Sequence, residues 1–372
     1  MTGIPPEGWA AALAGLPAMG PARLRAARAT WTPEEAWARV AAGAGCSRPE
    51  VAVACRPDPT AIAALWQAAA RRVSVADVWD AHGRAGVAVV LAGETGFPAE
   101  LAADPDPPAV LFHRGPVAVL DGRRVAIVGA RRCTRYGREV AYELGRDLAA
   151  SGVRVVSGLA LGIDGAAHRG ALAAGDKAPP VAVVGSGLDV VYPRSHGSLW
   201  EQVARAGLLL SEAPLGARPE PWRFPVRNRV IAALAEVVVV VESAERGGSR
   251  HTVEAAMARD RPVMAVPGSV RSPVSAYTNG LLADGCHPVR DALDVLVALG
   301  LTSAPRSPVD RRPPPGPEEA AVLEALGWEP ATFDDLCARS GRSPAHVSVA
   351  LARLQSGGWV GERAGWWERS SG

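Results

Sequence analysis

The sequence predicts an α/β protein built on a doubly wound, mainly parallel sheet, with a helical module before it and a small helical and hairpin module after it. Three observations carry that expectation. Six short runs recur at Val125–Gly129, Val153–Ser157, Val181–Gly185, Leu208–Ser211, Val237–Val241 and Val263–Pro267. They are β-branched and almost wholly apolar, as strands buried on both faces of a parallel sheet must be. Helical stretches of about 10–15 residues separate most of them, which is the βαβ pattern of a Rossmann-like fold. Composition changes at both ends of this alternation.

In chain order, residues 1–80 are rich in Ala and Trp, with helical spacing and no strand-like run. Within them Gly15-Leu16-Pro17-Ala18-Met19-Gly20-Pro21 precedes a helical stretch, Ala22 to Ala29. It reads either as the turn of a helix-hairpin-helix (a SAM-like module), whose glycines let backbone amides approach a DNA phosphate, or as a plain helical turn. Residues 81–300 hold the sheet, and Ser151-Gly152 gives a helix stop before the second run. Residues 301–317 form a Pro-rich linker containing Pro313-Pro314-Pro315. Residues 318–372 offer three helical stretches, Glu318–Leu326, Phe333–Ser340 and Pro344–Gln355, and a hairpin over Trp359–Trp367. Three helices and a wing suggest a winged-helix module. Arg342, His346 and Arg353 would reach a groove from its third helix, although so few charges suit a protein contact equally well.

The 372 residues carry 40 basic and 38 acidic side chains, a net charge of +2. That excludes a uniformly basic polyelectrolyte, so a nucleic-acid site must be a local concentration of arginine. Hydrophobic residues at 48% exclude a disordered chain. Lys177 is the only lysine, a bias that GC-rich codon usage explains. Cys46, Cys55, Cys133, Cys286 and Cys337 are scattered and odd in number, which argues against a disulfide framework or a zinc site. Ile4-Pro5-Pro6-Glu7 interrupts any leader-like start, and no apolar run reaches the roughly 20 residues that span a bilayer. A cytoplasmic protein without a membrane partner is expected.

Ligands of such sheets bind at the carboxyl ends of the strands. The first of these junctions is Gly129-Ala130-Arg131-Arg132-Cys133-Thr134-Arg135-Tyr136-Gly137. A dinucleotide fingerprint would need a glycine where Arg131 stands and an acid after the second strand, where Ser157-Gly158 stand instead. No cofactor is therefore expected. Free amides at a helix start, together with Arg131, favour an external phosphate, although a solvated basic helix start would look similar. Gly158 and the Gly185-Ser186-Gly187 loop add small residues at the same edge. Phe224-Pro225-Val226-Arg227-Asn228-Arg229 adds two arginine forks and an aromatic face. A basic groove with an aromatic holds an unpaired strand without reading its sequence. Against this, Phe224 could be core and Asn228 a helix cap. Asp164 and His168, four apart, would share a helix face as an acid/base pair or serve capping and packing.

These motifs, in this order, closely resemble the DNA-processing protein A family, DprA or Smf. The resemblance rests on Val125-to-Gly137, Ser157-to-His168, Gly185-to-Pro193, Ser211-Glu212 and Phe224-to-Arg229, and covers about Ala85 to Asp294. It implies a homodimer that binds and protects single-stranded DNA and helps load the RecA recombinase in natural transformation. It also implies that Arg131 binds phosphate and Phe224 stacks a base. Two stretches depart from the family pattern, Gly247-Gly248-Ser249-Arg250-His251-Thr252 and Val270 to Tyr277, and both are expected away from the arginine groove. The competing reading is a nucleoside-monophosphate phosphoribohydrolase-like enzyme with Asp164, His168 or Glu254 as acid/base groups. A third is a scaffold whose winged helix binds duplex DNA.

Overall fold

A computed structural model describes residues 3–301 and 312–370, which fall in two compact units, Met1–Pro305 and Arg306–Gly372. Most of the predicted linker lies outside the described residues. In the first unit a nine-stranded sheet runs in the order β1-β2-β6-β5-β4-β3-β7-β8-β9. The strands are β1 (Ala88–Leu91), β2 (Val110–Arg114), β3 (Arg124–Val128), β4 (Arg154–Ser157), β5 (Val181–Val184), β6 (Leu208–Ser211), β7 (Val237–Val240), β8 (Val263–Ala265) and β9 (His287–Pro288). The six predicted runs are β3 to β8, all parallel, with Val125 opposite Val237 and Val181 opposite Leu208. The sheet is longer than the sequence suggested. β2 pairs antiparallel with β6, β1 with β2, and the two-residue β9 closes the other edge.

Every residue of β3, β5, β6, β7 and β8 is buried, because helices cover both faces. The Arg135–Ala150 and Ile163–Ala173 helices pack one face, through Leu144, Leu148, Ala167 and Ala171. They approach closely because a Cβ at Gly145 or Gly170 would overlap the facing backbone. The Arg223–Leu234 and Arg250–Met257 helices pack the other face through Val230, Ile231 and Val253.

Six N-terminal helices, from Pro6–Ala14 to Val75–Ala85, build the helical region. Its Leu13, Trp37 and Trp66 share one apolar cluster with Leu91, Phe112, Ala182 and Trp200 of the sheet region. The expected boundary at residue 80 thus falls inside a helix, and the helical region has no core separate from the sheet. The fully buried Trp66 donates its indole N–H to the Pro17 carbonyl at 3.0 Å, which fixes the Gly15–Pro21 turn.

The second unit is a winged helix. Helices Pro317–Leu326, Phe333–Ser340 and Pro344–Ser356 enclose Val322, Leu326, Leu336, Val347 and Leu351. β10 (Ala331–Thr332), β11 (Val360–Arg363) and β12 (Trp366–Arg369) pair in the order β10-β12-β11. Ala364 and Gly365 both take positive φ, the requirement of a tight two-residue hairpin. Among the described residues, no helix is long and apolar enough to cross a membrane.

Candidate nucleic-acid interface

Strands β4, β5 and β6 lie to one side of β3, while β7, β8 and β9 lie to the other. The chain therefore leaves β3 and β7, which are neighbours, in opposite directions and opens a crevice at their carboxyl ends. A groove of about 660 Å³ occupies that position. Gly129, Arg131 and Arg132 border it from the β3 loop, Ala160 from the β4 loop, Asp164 from the Ile163–Ala173 helix, and Phe224, Arg227 and Asn228 from the Arg223–Leu234 helix.

The β3 loop is latched to the strand beside it. The Ala130 amide donates to the Glu242 carbonyl at 2.7 Å. The Glu242 carboxylate, only 2% exposed, accepts from the Thr134 amide at 2.8 Å and from its hydroxyl at 2.6 Å. Thr134 in turn caps the Arg135–Ala150 helix by accepting from the Gly137 amide at 3.1 Å. This corrects one expectation. The helix start does not offer free amides to an outside phosphate, because an internal carboxylate already complements its positive end. The anion affinity of this junction has to come from side chains.

Arg131 is exposed and its guanidinium lies over the Phe224 ring, 4.8 Å from the centroid. Tyr192, from the loop after β5, tilts against Phe224 at 5.5 Å between centroids and also borders the groove. A cation, two aromatic rings and the exposed Arg132 thus meet at one place. Tyr192 escaped the sequence analysis, although it stands in the quoted Gly185-to-Pro193 motif.

Arg227 and Arg229 behave otherwise than expected. The stretch containing them is helical, and two residues apart on a helix point in nearly opposite directions. Arg227 is 7% exposed and donates Nη1 to the Gly158 carbonyl at 2.8 Å and to the Val183 carbonyl. It ties the ends of β4 and β5 together beneath the groove. Burial pulls its pKa down to about 10, opposed by the nearby Asp164, so it stays charged at neutral pH. Arg229 faces away, held by Glu212 at 2.6 Å and Asp106 at 2.9 Å. It does not border the groove.

The small residues divide as well. Gly158 is buried, and a Cβ there would overlap the Arg227 guanidinium, so its smallness serves Arg227. Gly185 and Ser186 border a narrow slot with Tyr192, Phe224 and Arg131. Gly187 is buried and donates to the Ala217 carbonyl at 2.9 Å, outside the groove. Asn228 borders the groove and donates to the Gly248 carbonyl at 3.3 Å, so it does not cap a helix.

The two divergent stretches were expected away from this groove, yet Gly248, His251 and Val274 form its far wall. The crossing of β3 and β7 brings them there, which spacing alone does not reveal. The Gly15–Pro21 turn lies elsewhere, along a separate cavity with Trp222 and Arg229.

The acid/base candidates do not assemble. Asp164 is buried, accepts from the Gly158 amide at 3.1 Å, and burial raises its pKa despite Arg227. Burial pushes His168 down to about 3, and neither ring nitrogen makes a well-formed hydrogen bond. Glu254 is exposed beside Arg250 and His251 and is not part of the groove wall. Among the described residues, no group of three or more His, Cys, Asp or Glu could hold a metal. On the winged helix, Arg342 pairs with Glu318 at 2.6 Å and Arg353 with Glu319 at 2.9 Å, so both charges are committed.

The model of the DNA recombination-mediator protein A family matches residues 88–300, and that of the DprA winged helix domain matches residues 304–365. The chain is 40% identical over 270 residues to the putative DNA processing protein DprA of Mycobacterium tuberculosis, covering 70% of this chain and 68% of that protein. It is 34% identical over 272 residues to Escherichia coli Smf, covering 71% and 72%. The crystal structure of Streptococcus pneumoniae DprA aligns with a TM-score of 0.63 at 28% identity, over 80% of this chain and 98% of that one. A structure of Helicobacter pylori DNA processing protein A, reported for its unique single-stranded DNA binding mode, aligns with a TM-score of 0.52 at 28% identity, over 57% and 95%.

Proposed function

Because this chain belongs to the DNA recombination-mediator protein A family, we propose that it binds single-stranded DNA in the groove at the carboxyl ends of β3, β4 and β7. In this reading Arg131 and Arg132 meet phosphates, while Phe224 and Tyr192 stack bases. Gly129, Ala130, Gly185, Ser186 and Asn228 shape the walls. Arg227 and Gly158 act from beneath by holding the floor, and Arg229 and Gly187 make no contact with the strand. The protein protects the strand without cutting it and, as a homodimer, helps load RecA during transformation or recombination.

The observation that carries this reading is the exposed Arg131 guanidinium over Phe224 at the switch point of the sheet. A fork of donors and a ring face in one place fit a backbone phosphate and its adjacent base. A mononucleotide enzyme would need an accessible acid at the groove: Asp164 borders it but is buried on the Gly158 amide, and Glu254 stands outside it. The test is a gel shift of oligothymidylate with Arg131→Ala. An affinity loss of about tenfold or more is expected, equivalent to about 1.4 kcal/mol, with an unchanged circular dichroism spectrum. Normal affinity would sink the site assignment. Competition between single-stranded and duplex DNA at one salt concentration should favour the single strand. RecA-driven strand exchange on DNA coated with a single-strand-binding protein measures the loading role.

A further inference from the structure

The first turn of the Arg223–Leu234 helix forms a ridge with a site on each side. Phe224 and Arg227 border the groove described above, while Trp222, Arg223 and Arg229 border a larger cavity of about 840 Å³. Its opposite wall is the Gly15–Pro21 turn and the start of the Pro21–Thr30 helix. The proposed function leaves that segment unused, although its sequence resembles a phosphate-approaching turn.

The chemistry of the first groove is repeated here. The Arg223 guanidinium lies over the Trp222 ring at 4.5 Å from the centroid, as Arg131 lies over Phe224 at 4.8 Å. Trp222 is 45% exposed, and its indole N–H donates to Glu220 Oε2 at 2.7 Å. The same oxygen accepts from Arg223 Nε at 3.3 Å. An indole oriented by a hydrogen bond and still half exposed offers a stacking face whose ordering cost is already met. Arg23, Arg25, Arg223 and Arg229 border the cavity against only two carboxylates, Asp106 and Glu220. Arg25 and Arg229 are committed to Asp106, and Arg229 also to Glu212 behind the wall. Arg23 donates to the carbonyls of Ala18 and Ala54, which are neutral and leave its charge uncompensated. An excess of positive charge beside an exposed ring suits a polyanion that carries flat bases, and suits an apolar peptide poorly.

We propose that this cavity is a second single-strand subsite, which takes the continuation of the strand held at Phe224. Trp222 stacks a base there and Arg23 meets a phosphate. The inference rests on the reading that the first groove binds single-stranded DNA, and the test separates the two. Affinities of the full chain are measured for an oligothymidylate just long enough to fill the first groove and for one several times longer. Trp222→Ala should weaken the long strand by at least about fivefold, the low end for loss of one stacked base, and leave the short strand unchanged. Trp222→Phe should restore most of the loss. Arg23→Ala should reduce the salt dependence for the long strand only. Arg131→Ala should weaken both lengths. If Arg131→Ala weakens both while Trp222→Ala leaves the long strand unaffected, the second subsite is refuted and the first stands. Equal losses from Trp222→Ala on both lengths put Trp222 in the first groove and also refute it. No effect of Arg131→Ala on either length overturns the underlying function.

Discussion

Arg131 and Arg227 both border the groove at the carboxyl edge of the sheet, yet one lies exposed over an aromatic ring and the other is buried on two carbonyls. The contrast separates a charge available to a ligand from a charge spent on architecture. Arg227 is desolvated beside Asp164, and its donors tie the ends of β4 and β5 together. Arg131 gives up little by turning from Phe224 to a phosphate, because an exposed cation–π contact is worth only about 0.5–1 kcal/mol. Arginine count alone therefore misjudges such a groove.

The sharpest way to break this comparison is to truncate each residue and measure denaturant unfolding. Arg227→Ala removes the buried donor to the Gly158 and Val183 carbonyls and weakens the positive charge facing Asp164, and should cost about 1–3 kcal/mol. Arg227→Lys should recover little, since an ammonium cannot span two carbonyls as a fork does. Arg131→Ala should stay within about 0.5 kcal/mol of the parent, while lowering the slope of log affinity against log salt by about 0.7. Equal stability losses at the two positions would remove the distinction.

Glu242 tests whether the latch on the β3 loop matters to Arg131. Glu242→Ala removes the acceptor of both Thr134 donors. The expected cost is about 1–2 kcal/mol, the scale of a lost helix cap. A weaker oligothymidylate affinity should accompany it, because Arg131 then hangs from a looser loop. Unchanged affinity in that variant would show that the loop is positioned without the latch.

His168 sharpens the other half of the comparison, the buried floor. The unfolded chain takes up a proton near pH 6.5, whereas the folded protein resists until about 3. Stability that is full above 6.5 is thus lost as pH falls through that window, by up to about 1.4 kcal/mol per pH unit. Asp164, whose folded pKa is raised, acts with the opposite sign, favouring the fold at the acid end and less so as pH rises. Denaturation of the parent and of His168→Leu at pH 7, 6 and 5 isolates the histidine. Parallel curves would mean that His168 ionises normally in the folded state.

The same division between exposed and buried groups decides what the sequence could disclose. β3 to β8 were legible because each is an unbroken apolar run buried on both faces. β1 begins exposed at Ala88, and β9 is two exposed residues, so neither carries a periodic signal. Arg131 and Phe224 were legible from type and spacing. The direction of Arg229 was not, because it depends on the stretch being a helix and not a loop, a point that the apolar run after Arg229 hinted at. Glu242 was invisible for another reason: its partner Thr134 is distant in sequence, and only the adjacency of β3 and β7 joins them.

The smallest expected effect comes from the winged helix. Arg342, in the loop before its third helix, and Arg353, on that helix, pair with Glu318 and Glu319, and the paired carboxylates lie at the start of the first helix, where their charge is also favoured. A phosphate would have to displace a carboxylate from each arginine before gaining anything. Arg131, by contrast, lies on the Phe224 ring and forms no ion pair among the described residues. The double variant Arg342→Ala/Arg353→Ala should therefore change affinity for single-stranded DNA by less than about twofold, and the salt slope hardly at all. A loss comparable to that of Arg131→Ala would mean that the winged helix exchanges its internal ion pairs for the strand, and that committed charge is no barrier to binding in this protein.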